Sequence, residues 1–220
     1  MTGTALTWHA AAPGGLRRLA ATAGPAGVVL GRQHSGEVVP VRLFRPEPTR
    51  AVLVGGSWLA RLVVFRSLGA GAQVHITTAT PDRWSTVGSA AGAPEQVTIG
   101  IPPLPSPSGS MRPRLWVNDI GLGGEDTRLG AWETTLTVLP TLTPTSTAQL
   151  AEANVALLQR LSPPDADVCA ATLRLPAGTE TRLYQMHNEL LAVVVAGVVR
   201  FISFGTTPIE DELLGPPRRG

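Results

Sequence analysis

Two hundred and twenty residues are enough for one domain of generous size with a buried core. With 43% hydrophobic and only 15% charged residues, the chain is too apolar to be a disordered polymer. The net charge of +2 rests on 18 arginines and no lysine. That absence excludes Schiff-base and pyridoxal-phosphate chemistry, a kinase-type strand lysine and the G-x-x-x-x-G-K-[ST] phosphate loop.

An all-arginine basic set with abundant Ala, Gly and Pro reads as the product of a GC-rich bacterial genome. The single cysteine, Cys169, excludes an internal disulfide and any cysteine cluster, and fits a reducing, cytoplasmic setting. The longest strongly apolar stretch, residues 190–199, falls short of the roughly 18 residues of a spanning helix, and the N-terminus lacks a signal-peptide layout. No membrane insertion is expected.

In chain order, residues 1–26 read as a loose leader with one short helical piece around Leu16 and Leu19. Residues 28–30 and 38–44 are β-prone runs joined by a polar, Gly-containing connection, so 27–46 is expected to be a hairpin, and Pro40 places its strand at an edge. The apolar run at 51–54 suits a strand covered on both faces, and Gly55-Gly56 ends it. Ser57 is placed to cap a helix over 58–68, with Trp58, Leu62, Phe65 and Leu68 on one stripe. Residues 73–78 give the next strand, 81–92 a weaker helix and 96–101 another strand. The Pro/Ser-rich stretch 102–113 cannot join a sheet and is expected as a surface loop.

Residues 115–120 return to strand, a Gly-rich acidic turn spans 121–130, and 133–139 is again β-prone. Helices are expected over 145–153 and over 163–173 capped by Ser162, with a strand over 155–161 between them. The spacing of Leu183, Leu190, Leu191 and Val194 predicts the longest helix over 179–196, followed by a closing strand over 201–204 and a flexible tail over 215–220. Strands alternating with helices predict an α/β fold, a doubly wound and mostly parallel sheet with helices on both faces, as a single domain over 27–214.

Open α/β sheets bind ligands beyond the carboxyl ends of their strands. The first candidate there is Gly55-Gly56-Ser57, a strand-to-helix turn presenting backbone N–H groups at a helix N-terminus. It fits the dinucleotide fingerprint only as Gly55-x-Ser57-x-x-Ala60, and Thr77 to Thr80 stand where a ribose-binding acid belongs. The same glycines serve equally for a tight packing turn. The second candidate is Asp119, an acid at the end of an apolar strand, where nucleotide-binding folds place a Mg²⁺-linked carboxylate. Its structural alternative is to cap the Gly121 turn or pair with an arginine.

The four histidines, His9, His34, His75 and His187, show no ligand spacing, so no metal and no cofactor are implied. Cys169 reads as a small buried hydrophobe. Residues 1–66 carry eight arginines against Glu37 and Glu47, a balance of +6. Of these, Arg32, Arg42, Arg45, Arg50, Arg61 and Arg66 form a candidate surface for an anionic partner, or simply a solvated face. No aromatic residues interleave them as a nucleic-acid stacking platform would require.

With the strand ends placed, residues 49–214 resemble the RecA-type nucleotide-binding core of FtsK/HerA-like translocases and conjugative coupling proteins, some of whose relatives drive type VII secretion. The features that carry this are Val52-Leu53-Val54-Gly55-Gly56 at the phosphate-loop position and Leu115-Trp116-Val117-Asn118-Asp119 at the acidic strand. They are joined by residues 155–163 leading into a helix, and by Phe201-Ile202-Ser203-Phe204 with Pro208-Ile209-Glu210 at the exit. The family's lysine and adjacent hydroxyl are missing. The resemblance therefore implies a degenerate, non-catalytic version acting through a protein partner. A Rossmann-like nucleotide-dependent oxidoreductase, and a phosphate or nucleic-acid binder using the N-terminal arginines, are the competing expectations.

Overall fold

The computed structural model describes residues 27–100, 107–121 and 129–215. The expected leader, most of the acidic turn, the first part of the Pro/Ser-rich loop and the last five residues lie outside the described residues. The elements are β1 (Val28–Arg32), β2 (Val38–Val41), β3 (Thr49–Val54), α1 (Ser57–Gly69), β4 (Gln73–Thr78), α2 (Val87–Ala90), β5 (Val97–Ile99), β6 (Arg114–Asp119) and β7 (Glu133–Leu139). They continue with α3 (Pro144–Ala151), β8 (Val155–Leu158), α4 (Pro163–Thr172), α5 (Thr179–Gln185), β9 (Leu190–Val195), β10 (Val198–Ser203) and α6 (Pro208–Leu214).

Among the described residues, ten strands form one sheet in the order β2-β1-β10-β9-β8-β3-β7-β6-β4-β5. The six strands from β8 to β5 are parallel, and β9, β10, β1 and β2 extend the sheet by antiparallel pairing. This is the expected α/β architecture, and β2, which carries Pro40, is an edge strand. An edge strand tolerates a residue that has no N–H to donate.

Strand alternation divides the core in two. Ala51 and Leu53 of β3, Leu115 and Val117 of β6 and Leu136 and Val138 of β7 pack with α1, α2 and α6 on one face. Val52 and Val54 of β3, Ala156 and Leu158 of β8 and Ala192 and Val194 of β9 pack with α3, α4 and α5 on the other. The continuous apolar runs of β3 and β8 follow from that double coverage. The helix α1 is buried around most of its circumference, because α6 lies on its outer side, so its expected single apolar stripe is too narrow a description. Local capping follows the sequence: Thr143 and Ser146 form a reciprocal capping box on α3, and Ser162 Oγ accepts from Asp165 N at the start of α4.

The expected helix over 179–196 is corrected. Only Thr179–Gln185 is helical, and Leu190–Val195 is a strand buried between β8 and β10. Three consecutive valines favour an extended backbone, and a sheet with a strand on either side satisfies it fully. Ala196 and Gly197, with φ of 49° and 76°, form a two-residue hairpin turn into β10. The expected helix over 81–92 is reduced to a 3₁₀ turn at Pro81–Arg83 and the single turn α2.

Candidate functional site

The connection after β3 returns on the α1 face, and the connection after β7 returns on the α3 face. The carboxyl ends of β8, β3, β7 and β6 therefore border the switch point where such sheets open a crevice. Gly55, Gly56 and Ser57 lie there, and two neighbouring strands close the turn. Gly55 N donates to Leu139 O at the end of β7 at 2.9 Å. Gly56 N donates to Gln159 Oε1 at 2.7 Å.

Gln159 follows β8 directly, is 3% exposed, and is itself held by its backbone N–H on Val54 O at 3.0 Å. A Cβ on Gly55 would meet the Gln159 side chain, which would have to leave its place in the turn to make room. The N-cap of α1 is Gly56 in extended conformation with no side-chain cap. This corrects the expectation for Ser57, which is the first residue of the helix. A glutamine just past the neighbouring strand, rather than a local hydroxyl, accepts from the helix's leading amide.

Asp119 ends β6, two strands from β3, which is about 10 Å across the sheet. Its Oδ2 accepts from Thr78 Oγ1 at 3.0 Å and from Trp84 Nε1 at 2.9 Å. Trp84 is fully buried, and its indole N–H requires an acceptor. Asp119 therefore anchors the segment after β4, in place of the expected cap on the Gly121 turn or pairing with an arginine. Sequence reasoning missed Gln159 and Trp84. The signal for Trp84 was a lone indole just after a strand in register with an acid-ended one.

The six arginines occupy separate places. Arg32 Nη1 donates to Gly36 O within the hairpin, Arg42 is exposed after β2, and Arg45 Nε donates to Thr49 Oγ1. Arg50 lies at the amino end of β3, where its backbone exchanges hydrogen bonds with Asn154. Arg61 Nη2 donates to Leu213 O, and burial lowers its guanidinium pKa from the ordinary value.

Arg66 uses all five donors internally. Nε and Nη2 bind Glu210, Nη1 binds the Val29 and Leu30 carbonyls, and Nη2 also binds Gly205 O. An arginine so occupied has no donor left for an external anion, which removes Arg66 from the expected anion-facing surface.

No group of three or more His, Cys, Asp or Glu residues among the described residues could hold a metal. His34 and His187 are exposed, and His75 is buried in β4 with its ring edge-on to Trp116 at 5.3 Å. Burial lowers the His75 pKa, with a partial offset from the Gly100 backbone. Burial, with the nearby Asp165 charge, pushes the Cys169 thiol up to about 12, which keeps it protonated and unreactive. No helix among the described residues is long and apolar enough to cross a membrane.

No family model matches the chain, and no curated protein matches it. Among solved structures, it is similar to the genome packaging NTPase B204 from Sulfolobus turreted icosahedral virus 2 in complex with AMPPCP. The TM-score is 0.46 and the identity 9%, covering 71% of this chain and 97% of that one.

Proposed function

We propose that the protein is a non-catalytic α/β interaction module, a decayed nucleotide-binding fold accessory to a secretion or DNA-translocation assembly. The observation that carries this reading is the Gln159 amide seated in the Gly55-Gly56 turn. A phosphate bound at such a turn needs the amide that Gln159 already occupies, and it needs a counter-charge, which a lysine-free chain does not supply from the loop. Asp119 supports the same reading, since its Oδ2 serves Thr78 and Trp84. The assembly named comes from the resemblance of residues 49–214 to translocase cores.

Calorimetry with Mg²⁺-ATP, and thermal melts with NAD(H) and NADP(H), test the proposal. No saturable heat is expected with ATP and no melting shift with the dinucleotides, although a ligand at 100 times its Kd adds about 2.7 kcal/mol of stability. A micromolar Kd for ATP, or turnover lost on Asp119→Asn, would overturn it. A dinucleotide-induced shift abolished by enlarging Gly55 would favour an oxidoreductase instead.

A further inference from the structure

The sheet could accept an added strand at three places, and two of them are protected. β2 at one outer edge carries Pro40, a residue that disfavours further strand pairing, and β5 at the other is three residues long. The third place is the outer side of β10. Among the described residues, β10 meets β1 only at the Arg32–Ser203 pair. Beyond that pair the chain leaves through residues 33–37 into β2. The segment Val198-Val199-Arg200-Phe201 thus has one backbone edge without a strand partner among the described residues, while its other edge pairs with β9 without a bulge.

This edge has strand-forming residues throughout and contains neither Pro nor Gly. Val195 and Val198 are 45% and 60% exposed beside the hairpin turn, and Arg200 is exposed on the same face. On the opposite face Phe201 is half-buried, with the Arg182 guanidinium 3.9 Å over its ring. The strand pair itself, residues 190–203, contains no acid and carries Arg200, with Arg182 stacked on Phe201; the nearest acids in sequence to these elements, Glu37, Glu180 and Glu189, lie outside the pair.

We propose that the outer edge of β10 is a strand-addition site for an extended acidic segment of a partner protein. Main-chain hydrogen bonds to Val198-Val199-Arg200-Phe201 would give affinity, and carboxylates meeting Arg200 and Arg182 would give register. A second copy paired symmetrically about Arg200 would set two guanidinium groups directly opposite each other, an unfavourable cross-strand pair. Four residues of edge also fall well short of the roughly 1,200 Å² that a stable interface buries. The inference rests on reading the chain as an interaction module and names the surface that module uses.

The test is an NMR titration of the isotopically labelled full chain with a synthetic peptide, Thr-Val-Thr-Glu-Glu-Thr-Val-Thr, whose adjacent carboxylates project to opposite faces of an added strand as Arg200 and Arg182 do, and its counterpart with Lys in place of Glu. The Glu peptide is expected to shift the amides of residues 198–201 and to slow the exchange of alternate ones. Arg200→Glu should weaken it by about tenfold or more and transfer the preference to the Lys peptide, with the melting temperature unchanged because Arg200 is exposed. Shifts confined to other surfaces, or equal binding of both peptides, would overturn the proposal. So would a concentration-dependent dimer that Arg200→Glu abolishes, which would make a second copy the occupant. A silent edge in a protein that also ignores ATP would remove this inference alone. Saturable ATP binding with a responsive edge would overturn only the non-catalytic reading.

Discussion

Gln159 occupies the position from which a ligand oxygen would receive the Gly56 N–H, so its loss should be felt first as stability. Gln159→Ala strands a buried donor and is expected to cost about 1–3 kcal/mol in a urea titration, without creating ATP binding. Arg66 and Glu210 form the other exacting contact, at 2.7 Å with side chains 15% and 4% exposed. Burial pushes the Glu210 carboxyl up, but hydrogen bonds from Arg66 and from Thr207 N–H, with the Arg66 charge, outweigh it and hold the pKa below its ordinary value. Stability from this pair is therefore present above the usual carboxylate range and lost as pH falls through the lowered Glu210 value. Arg66→Met should cost about 3–5 kcal/mol at neutral pH by leaving a buried carboxylate uncompensated. Arg66→Met with Glu210→Gln should recover part of that cost and flatten the acid limb of stability against pH, measured by chemical denaturation between pH 3 and 6, roughly the window of a perturbed carboxylate.

At the scale of elements, the β9–β10 hairpin was the least legible part of the chain. Leu183, Leu190, Leu191 and Val194 satisfy a helical spacing by coincidence, because an apolar run of six reads equally as a buried strand. The turn signal was Ala196-Gly197, in which only the second residue is a left-handed former by type. Ala196 at φ 49° carries a conformational cost that asparagine bears more easily. Ala196→Asn is therefore expected to stabilise the protein by about 0.5–1 kcal/mol, visible as a raised melting temperature. The helix α6 was not expected from the sequence, although Thr207 and Glu210 stand at capping-box spacing. Its place is set by α1, through Trp58 Nε1 to Gly215 O, Arg61 to Leu213 O and Arg66 to Glu210.

For the whole molecule, the basic first third is expected to bind nucleic acid weakly at best. Arg32, Arg45 and Arg66 donate to groups of the protein itself, and Arg45 and Arg50 lie at the opposite end of β3 from the Gly55 turn. Fluorescence anisotropy with duplex and single-stranded DNA at about 50 and 200 mM salt should show no steep loss, whereas a contact surface of several phosphates gives a log–log slope near −0.9 per contact. Tight, salt-sensitive binding would make nucleic acid the partner. The sequence by itself determined the βα rhythm, the doubly covered strand β3, the edge position of Pro40, the cap at Ser162 and the absence of lysine chemistry, because each is written in local periodicity or residue type. Only the tertiary structure decided that Gln159 fills the glycine turn, that Trp84 and Thr78 hold Asp119, that Arg66 is spent inside the fold and that residues 190–195 are a strand. Those outcomes depend on which strands lie side by side, and a partner about 100 residues away in the chain leaves no mark on local spacing.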